Sequence, residues 1–182
     1  MMNRLKLCAI LLLGTLYTTA VQSQTQAAEP TLVVVEMSQS TAIVGKVVPQ
    51  FTTKAIDGVT ATIEVLSKEK KYVLICFWAS WCQPCRKEIP VLKKIHSDYA
   101  EKGFDIIAIS VDSNKPAWQE AMKAEGISAW QNYFDREGVA KLYGVRFIPA
   151  TFLIDATTGM ILAQNIQDEE LRLKLAELLD SE

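Results

Sequence analysis

Cys82-Gln83-Pro84-Cys85 places two thiols three positions apart, directly after the apolar run 72–78 and directly before a helix-like segment. At that spacing two sulfurs can close a disulfide across the first turn of a helix. Cys82 then sits where unpaired backbone N–H groups and the helix dipole stabilise a thiolate. The chemistry this predicts is thiol–disulfide exchange. Two other uses of such a pair stand beside it. Half of a zinc site would need a second pair of ligands, and Cys76, Cys8 and the lone His96 do not supply one at a usual spacing. An inert cross-link would gain nothing from a place at a helix start.

The elements that position the thiols follow from hydrophobic periodicity. Residues 72–78 (Tyr-Val-Leu-Ile-Cys-Phe-Trp) are apolar at every position, the mark of a central strand covered on both faces. In 86–102, Ile89, Leu92, Ile95 and Tyr99 recur at helical spacing, with Lys87, Lys93, Lys94 and Asp98 on the other face. Pro90 should kink that helix rather than end it. Residues 104–111 form a second doubly apolar strand. Ser113 or Asn114 can cap a helix from Pro116 to about Glu125, with Gly126 as its stop. Residues 151–154 and 160–164 flank a turn and predict an antiparallel hairpin. Leu171, Leu175 and Leu178 stripe a closing helix that Asn165 or Asp168 could cap. Upstream, 31–37 and 44–51 are short β-like pieces, the second confined to an edge or bend by Pro49. Residues 56–59 predict a turn and 60–65 a strand. Alternation of strands and helices ending in a hairpin and helix gives an α/β fold, a mixed sheet with helices on both faces and an N-terminal β extension.

At the N-terminus, Arg4 and Lys6 precede a ten-residue apolar stretch from Leu7 to Leu16, short of the roughly 20 residues that span a bilayer. Small residues follow, so 1–23 predicts a signal peptide with cleavage near Ala20 or Ser23; kept uncleaved, it would anchor the chain. Cys8 lies inside this stretch as a small hydrophobe. Residues 24–30 predict a solvated tether, and 31–182 one domain of about 150 residues, ample for a full core. The formal charge is −2, from 19 basic and 21 acidic residues, and becomes 17 − 21 = −4 without residues 1–23. Nothing in that balance suggests nucleic acid or anionic lipid as a partner. Membrane contact is expected only through an uncleaved N-terminal segment. Three cysteines remain in the domain, one pair and one solitary thiol, Cys76.

The segment Phe77-Trp78-Ala79-Ser80-Trp81-Cys82-Gln83-Pro84-Cys85-Arg86-Lys87-Glu88-Ile89-Pro90 closely resembles the active-site segment of thioredoxin-like proteins of the exported TlpA/ResA kind. Gly45-Lys46-Val47-Val48-Pro49-Gln50-Phe51 resembles the opening segment of that branch, and Ile148-Pro149-Ala150-Thr151-Phe152-Leu153-Ile154-Asp155 its second active-site loop. The three matches, in order, cover the chain from about residue 44 to its end.

The resemblance implies a thioredoxin-like fold and a role for each matching residue. Cys82 would be the attacking thiolate, partly exposed at the helix start, and Cys85 the resolving thiol. Pro84 would hold Cys85 in place. Pro149 corresponds to the family's cis-proline opposite the disulfide, where a partner chain lays its backbone along Ile148. Trp81 would be an exposed apolar platform, and Trp78 plain core. Arg86 and Glu88 match the family pattern; for each, a solvated helix face is the plainer reading. The redox-active disulfide itself carries the electrons, with no separate cofactor and no metal. Two positions depart from the pattern. Cys76 stands where thioredoxins carry a buried proton-shuttling aspartate, which leaves Glu64, Asp112, Glu88 or water as substitutes. Gln83 stands where some relatives acting on cytochrome precursors carry a glutamate, so a cytochrome-specific role is not carried over.

These expectations amount to an exported, periplasmic reductase of disulfides in exported proteins, supplied with electrons by a membrane donor. Gln83-Pro84 resembles the Gly-Pro of reducing thioredoxins more than the histidine-containing dipeptides of strong oxidants. A disulfide oxidase or isomerase is the alternative within the same chemistry. A Cu(I) metallochaperone is the alternative outside it, without the histidine near Pro149 that related carriers use. The cysteine pattern of peroxiredoxins is absent. His96, Trp118 and Trp130 read as structural.

Overall fold

The computed structural model describes residues 42–54 and 60–180, all within the second of two compact units, Met37–Glu182. The expected signal segment, the tether, the strand at 31–37 and the turn at 56–59 lie outside the described residues.

The apolar run forms strand β3 (Tyr72–Trp78), as its periodicity predicts. Leu74, Cys76 and Trp78 point into one core cluster, Val73, Ile75 and Phe77 into another. Such a strand needs a covering layer on each side. On the first side this is α2 (Gln83–Tyr99), α3 (Lys115–Glu125) and α5 (Asp168–Leu179), through Ile89, Leu92, Ile95, Trp118, Leu171 and Leu175. On the second it is α1 (Ile63–Leu66), α4 (Val139–Leu142) and the stretch around Phe51, through Ile63, Leu66, Val139 and Tyr143. Leu74, Ile75, Phe77 and Trp78 are fully buried; each contributes about 1.5–3 kcal/mol of transfer free energy or more. The strand that leads into the thiols is thereby fixed from both sides.

β4 (Phe104–Ser110) runs parallel to β3 and β5 (Gln131–Phe134) parallel to β4. β6 (Ala150–Asp155) pairs antiparallel with β3, and β7 (Ile161–Gln164) antiparallel with β6. The order is β5-β4-β3-β6-β7, the expected mixed sheet with helices on both faces. Trp78 pairs with Ser110 and Phe77 with Ala150, so the end of β3 and the start of β6 share one end of the sheet. A separate antiparallel pair joins β1 (Thr52–Lys54) to β2 (Thr60–Thr62).

The structure corrects three local expectations and adds two elements. Residues 44–51 form no strand; a single bridge joins Val47 to Met160, and β1 begins only at Thr52, beyond Pro49, which has no N–H to give a ladder. Residues 60–65 divide into β2 and a helical turn, because Ile63 and Leu66 bury at helical spacing while Val65 is exposed. Neither Asn165 nor Asp168 caps α5: Gln167 takes the cap position without a side-chain bond, and Asp168, Glu169 and Glu170 fill the first turn, where the dipole favours acids. β5 and α4 were not foreseen. β5 is short and polar at Gln131 and Asn132, and α4 is a single turn whose N–H groups at Val139 and Ala140 donate to the Asp135 carboxylate at 2.7 and 2.9 Å.

Elsewhere the helix signals hold. Asn114 caps α3 by accepting from the Ala117 N–H, and Gly126 ends it in the left-handed region. α2 runs unbroken through Pro90.

Candidate active site

β3 ends at Trp78, and a tight turn, with the Cys82 N–H donating to the Ala79 carbonyl at 3.0 Å, delivers Cys82 to the start of α2. Cys82 takes the N-cap position: its Sγ accepts from the Cys85 N–H at 3.2 Å. Gln83 and Pro84 form the first helical turn, both exposed, and Pro84 sits where a missing N–H costs nothing. Cys82 and Cys85 are joined by a disulfide, with Cα atoms 5.3 Å apart.

Asp112 holds the turn in place. It accepts from the Ser80 N–H at 2.8 Å, the Ser80 hydroxyl at 2.6 Å and the Ser110 hydroxyl at 2.7 Å. Three charge-assisted bonds to one buried carboxylate fix the loop that sets the height of Cys82 against the sheet.

The two sulfurs belong to the first core cluster. Cys82 is 4% exposed and Cys85 2%, so the expected partial exposure of Cys82 is not present in the disulfide form, where its sulfur is turned inward onto Cys85. Trp81, in contrast, stands 65% exposed, and Trp78 is core. Arg86, expected on a solvated helix face, is half-buried instead, and its Nε pairs with Glu125 at the end of α3.

Just before the neighbouring strand β6, the Ile148–Pro149 peptide bond is cis. Ile148 is half-buried and packs against both core clusters, and Ala150 opens β6 beside Phe77. The sequence-identified pair Ile148-Pro149 and the Cys-Gln-Pro-Cys motif therefore meet at the same end of the sheet.

The candidate acids separate clearly. Glu64 is exposed on α1, which packs on the layer opposite the sulfurs, and hydrogen bonds, chiefly from the Thr62 side chain, lower its pKa. Asp112 is committed to its three donors. Glu88, on α2 one turn beyond Cys85, is 9% exposed, and its Oε1 has no hydrogen-bond partner. Burial, reinforced by the nearby Asp168 carboxylate, raises its pKa to about 7. Cys76, facing the same cluster, is pushed up to about 12 by burial and by Glu88; it stays a thiol. Asp168 at the head of α5 is the influence that sequence reasoning missed, since no local pattern links residues 88 and 168. His96 Nε2 hydrogen-bonds the Asp105 carboxylate at 3.0 Å, far along α2 from the motif. Among the described residues, no group of three or more His, Cys, Asp or Glu is gathered to hold a metal ion.

A mixed five-stranded sheet between helices, with a Cys-x-x-Cys disulfide opening the helix that follows the central strand, defines a thioredoxin-like protein. Comparison with known proteins narrows the class. Residues 44–163 match the AhpC/TSA family. The chain is 34% identical over 137 residues to thiol-disulfide oxidoreductase ResA of Bacillus thuringiensis subsp. konkukian, covering 75% of this chain and 76% of that one. A thiol-disulfide oxidoreductase structure from Bacteroides fragilis shares 34% identity at a TM-score of 0.67, covering 74% of this chain and all of the other. The thioredoxin domain of a thiol-disulfide oxidoreductase from Bacteroides vulgatus shares 28% identity at the same TM-score, covering 75% and 98%. The chain thus belongs to the AhpC/TSA family, among its thioredoxin-like thiol–disulfide oxidoreductases.

Proposed function

We propose that the protein is an exported reductase of disulfides in other exported proteins, with Cys82 as attacking thiolate and Cys85 as resolving thiol. The observation that carries this reading is the Cys82–Cys85 disulfide at the start of α2, with a buried carboxyl, its Oε1 unpartnered, one turn further on. In the reduced state the Cys82 thiolate attacks one sulfur of a partner disulfide. The partner's S–S bond breaks, and its other sulfur leaves as a thiolate that takes up a proton. Glu88 accepts the Cys85 proton, and the Cys85 thiolate attacks Cys82, freeing the partner's second thiol and closing the Cys82–Cys85 bond. Two electrons pass to the partner, and a membrane donor must restore the dithiol. The disulfide serves as the only redox group, with no cofactor or metal.

Trp81 offers the partner a flat apolar surface, and the backbone at Ile148 and Pro149 a place to lie. The direction of electron flow rests on Gln83-Pro84. No imidazole sits between the cysteines to stabilise the reduced thiolate, so the pair gives up its electrons readily. Export rests on the signal-like segment at residues 1–23.

Equilibration of the protein in dithiothreitol or glutathione buffers, read by tryptophan fluorescence or thiol trapping, tests the direction. A potential near thioredoxin's, about −270 mV, is expected; a value near about −120 mV would make the protein an oxidant and reverse the proposal.

A further inference from the structure

We infer that Phe147, with Arg146 beside it, selects polypeptide disulfides that carry a large apolar side chain and an acidic side chain close to the reacting cysteine. This rests on the reading of Cys82–Cys85 as the exchanging pair.

Phe147 and Trp81 are the two most exposed large hydrophobic residues among the described ones, at 85% and 65%. A single exposed apolar side chain is ordinary. Here both rings lie at one end of the sheet, Trp81 next to Cys82 and Phe147 two residues before Pro149. Among the described residues Phe147 takes part in no aromatic pair, although Phe51, Phe77, Tyr143 and Phe152 stack within the core on that side of the sheet. Its position is nevertheless held, because Ile148 next to it packs against both core clusters. Among the described residues, no backbone hydrogen bond joins Phe147 or Ile148 to another segment. The segment thus presents a ring and free backbone groups at the end of the sheet that holds the Cys82–Cys85 disulfide.

Charge points to the rest of the partner. The chain is acidic overall, yet the site's rim carries Arg146 and Lys87, both exposed and without an ion pair among the described residues. On this inference a small disulfide reaches the sulfur without touching Phe147 or Arg146. A polypeptide does not, because the residues flanking its cysteine are carried past them. Burying an aromatic or large aliphatic side chain against Phe147 is sufficient for about tenfold in second-order rate.

The test uses the full chain, reduced and freed of reductant, reacting in single turnover with disulfide-linked peptides. The peptides differ only beside the cysteine, carrying Phe-Asp, Gly-Asp or Phe-Lys, and oxidised glutathione serves as the small disulfide. The Phe-Asp peptide should react on the order of tenfold faster than Gly-Asp at low concentration, through a lower half-saturating concentration rather than a higher limiting rate. Phe147→Ser should erase that advantage and leave the glutathione rate unchanged; Arg146→Gln should erase the preference for Asp over Lys. An unchanged Phe-to-Gly ratio in the Phe147→Ser protein would overturn the inference, as would an equal loss on every substrate including glutathione. Failure of the wild-type protein to reduce even glutathione would instead bring down the exchange reading on which the inference stands.

Discussion

Glu88 is the residue whose chemistry is most sharply set by its surroundings. A carboxyl with one unpartnered oxygen, little water and the Asp168 charge nearby holds its proton up to about pH 7. As the proposed acceptor for the Cys85 proton it is competent only when ionised, so the resolving step should accelerate as pH rises through about 7. Glu88→Gln should slow that step on the order of 100-fold, a typical general-base contribution, and flatten its pH profile. Rapid-quench trapping of the mixed disulfide measures both. The same substitution has a second signature, in stability. The folded value of about 7 lies above the ordinary 4.5, so between those values the folded chain holds a proton the unfolded chain has released. Stability therefore falls as pH rises from about 4.5 to about 7, by about 2 kcal/mol once solvent screening is allowed for. Denaturant titrations should show the Gln variant free of that loss, more stable than wild type at pH 8 and not at pH 4. Were Glu88 a bystander, the stability change would appear without any change in trapping kinetics.

Secondary-structure elements meet at polar ties that complement the apolar layers. Asp105 on β4 gathers His96 from α2, Gln131 from β5 and Lys70 from the approach to β3, at 3.0, 3.0 and 3.3 Å. Burial works to raise its pKa, but the His96 hydrogen bond, the Ile106 N–H, Gln131 and Lys70 outweigh burial and bring it to about 2. A lowered folded value stabilises the fold above the unfolded one, and that stability is lost as pH falls from about 4 to about 2. The loss amounts to roughly 1–2 kcal/mol, since the flanking Lys70 is partly exposed. Acid unfolding followed by circular dichroism should show this step in wild type, and Asp105→Asn should remove it. None of this network was legible in the sequence, because its members are scattered from residue 70 to 131 and none is locally patterned. What was legible was whatever a short window encodes: the doubly apolar β3 and β4, the Ile89-Leu92-Ile95-Tyr99 stripe, the Asn114 cap and the cysteine motif at a helix start. The short elements were not. Ala61, Ile63 and Val65 alternate like a strand, yet Ile63 and Leu66 bury together as a helical turn because the layer over Tyr143 and Phe51 takes both. Asp112 was readable only as a candidate acid; that it spends its oxygens on Ser80 and Ser110 is decided by the parallel pairing of β3 with β4, a tertiary fact.

For the molecule as a whole, the proposed direction of electron flow and the proposed compartment constrain each other. A dithiol poised near about −270 mV in an oxidising compartment runs down after one turnover unless a donor replenishes it, whereas in the cytosol the same pair would be kept reduced without one. On this reading membrane contact belongs to residues 1–23 only where they are kept as an anchor, while the sheet and its helices carry the chemistry outside. Thiol trapping in intact cells separates these arrangements. After mild reduction, a membrane-impermeant maleimide should label Cys82 of the full chain while the inner membrane is intact, and should fail to label the same domain made without residues 1–23. Acid-quenched cells that possess the membrane donor should hold the Cys82–Cys85 pair mostly as thiols, and loss of the donor should convert it to the disulfide. If the full chain resists the impermeant reagent until the cells are broken, the N-terminal segment is not an export signal. The requirement for a membrane donor then falls with it, because cytosolic thiols would supply the electrons.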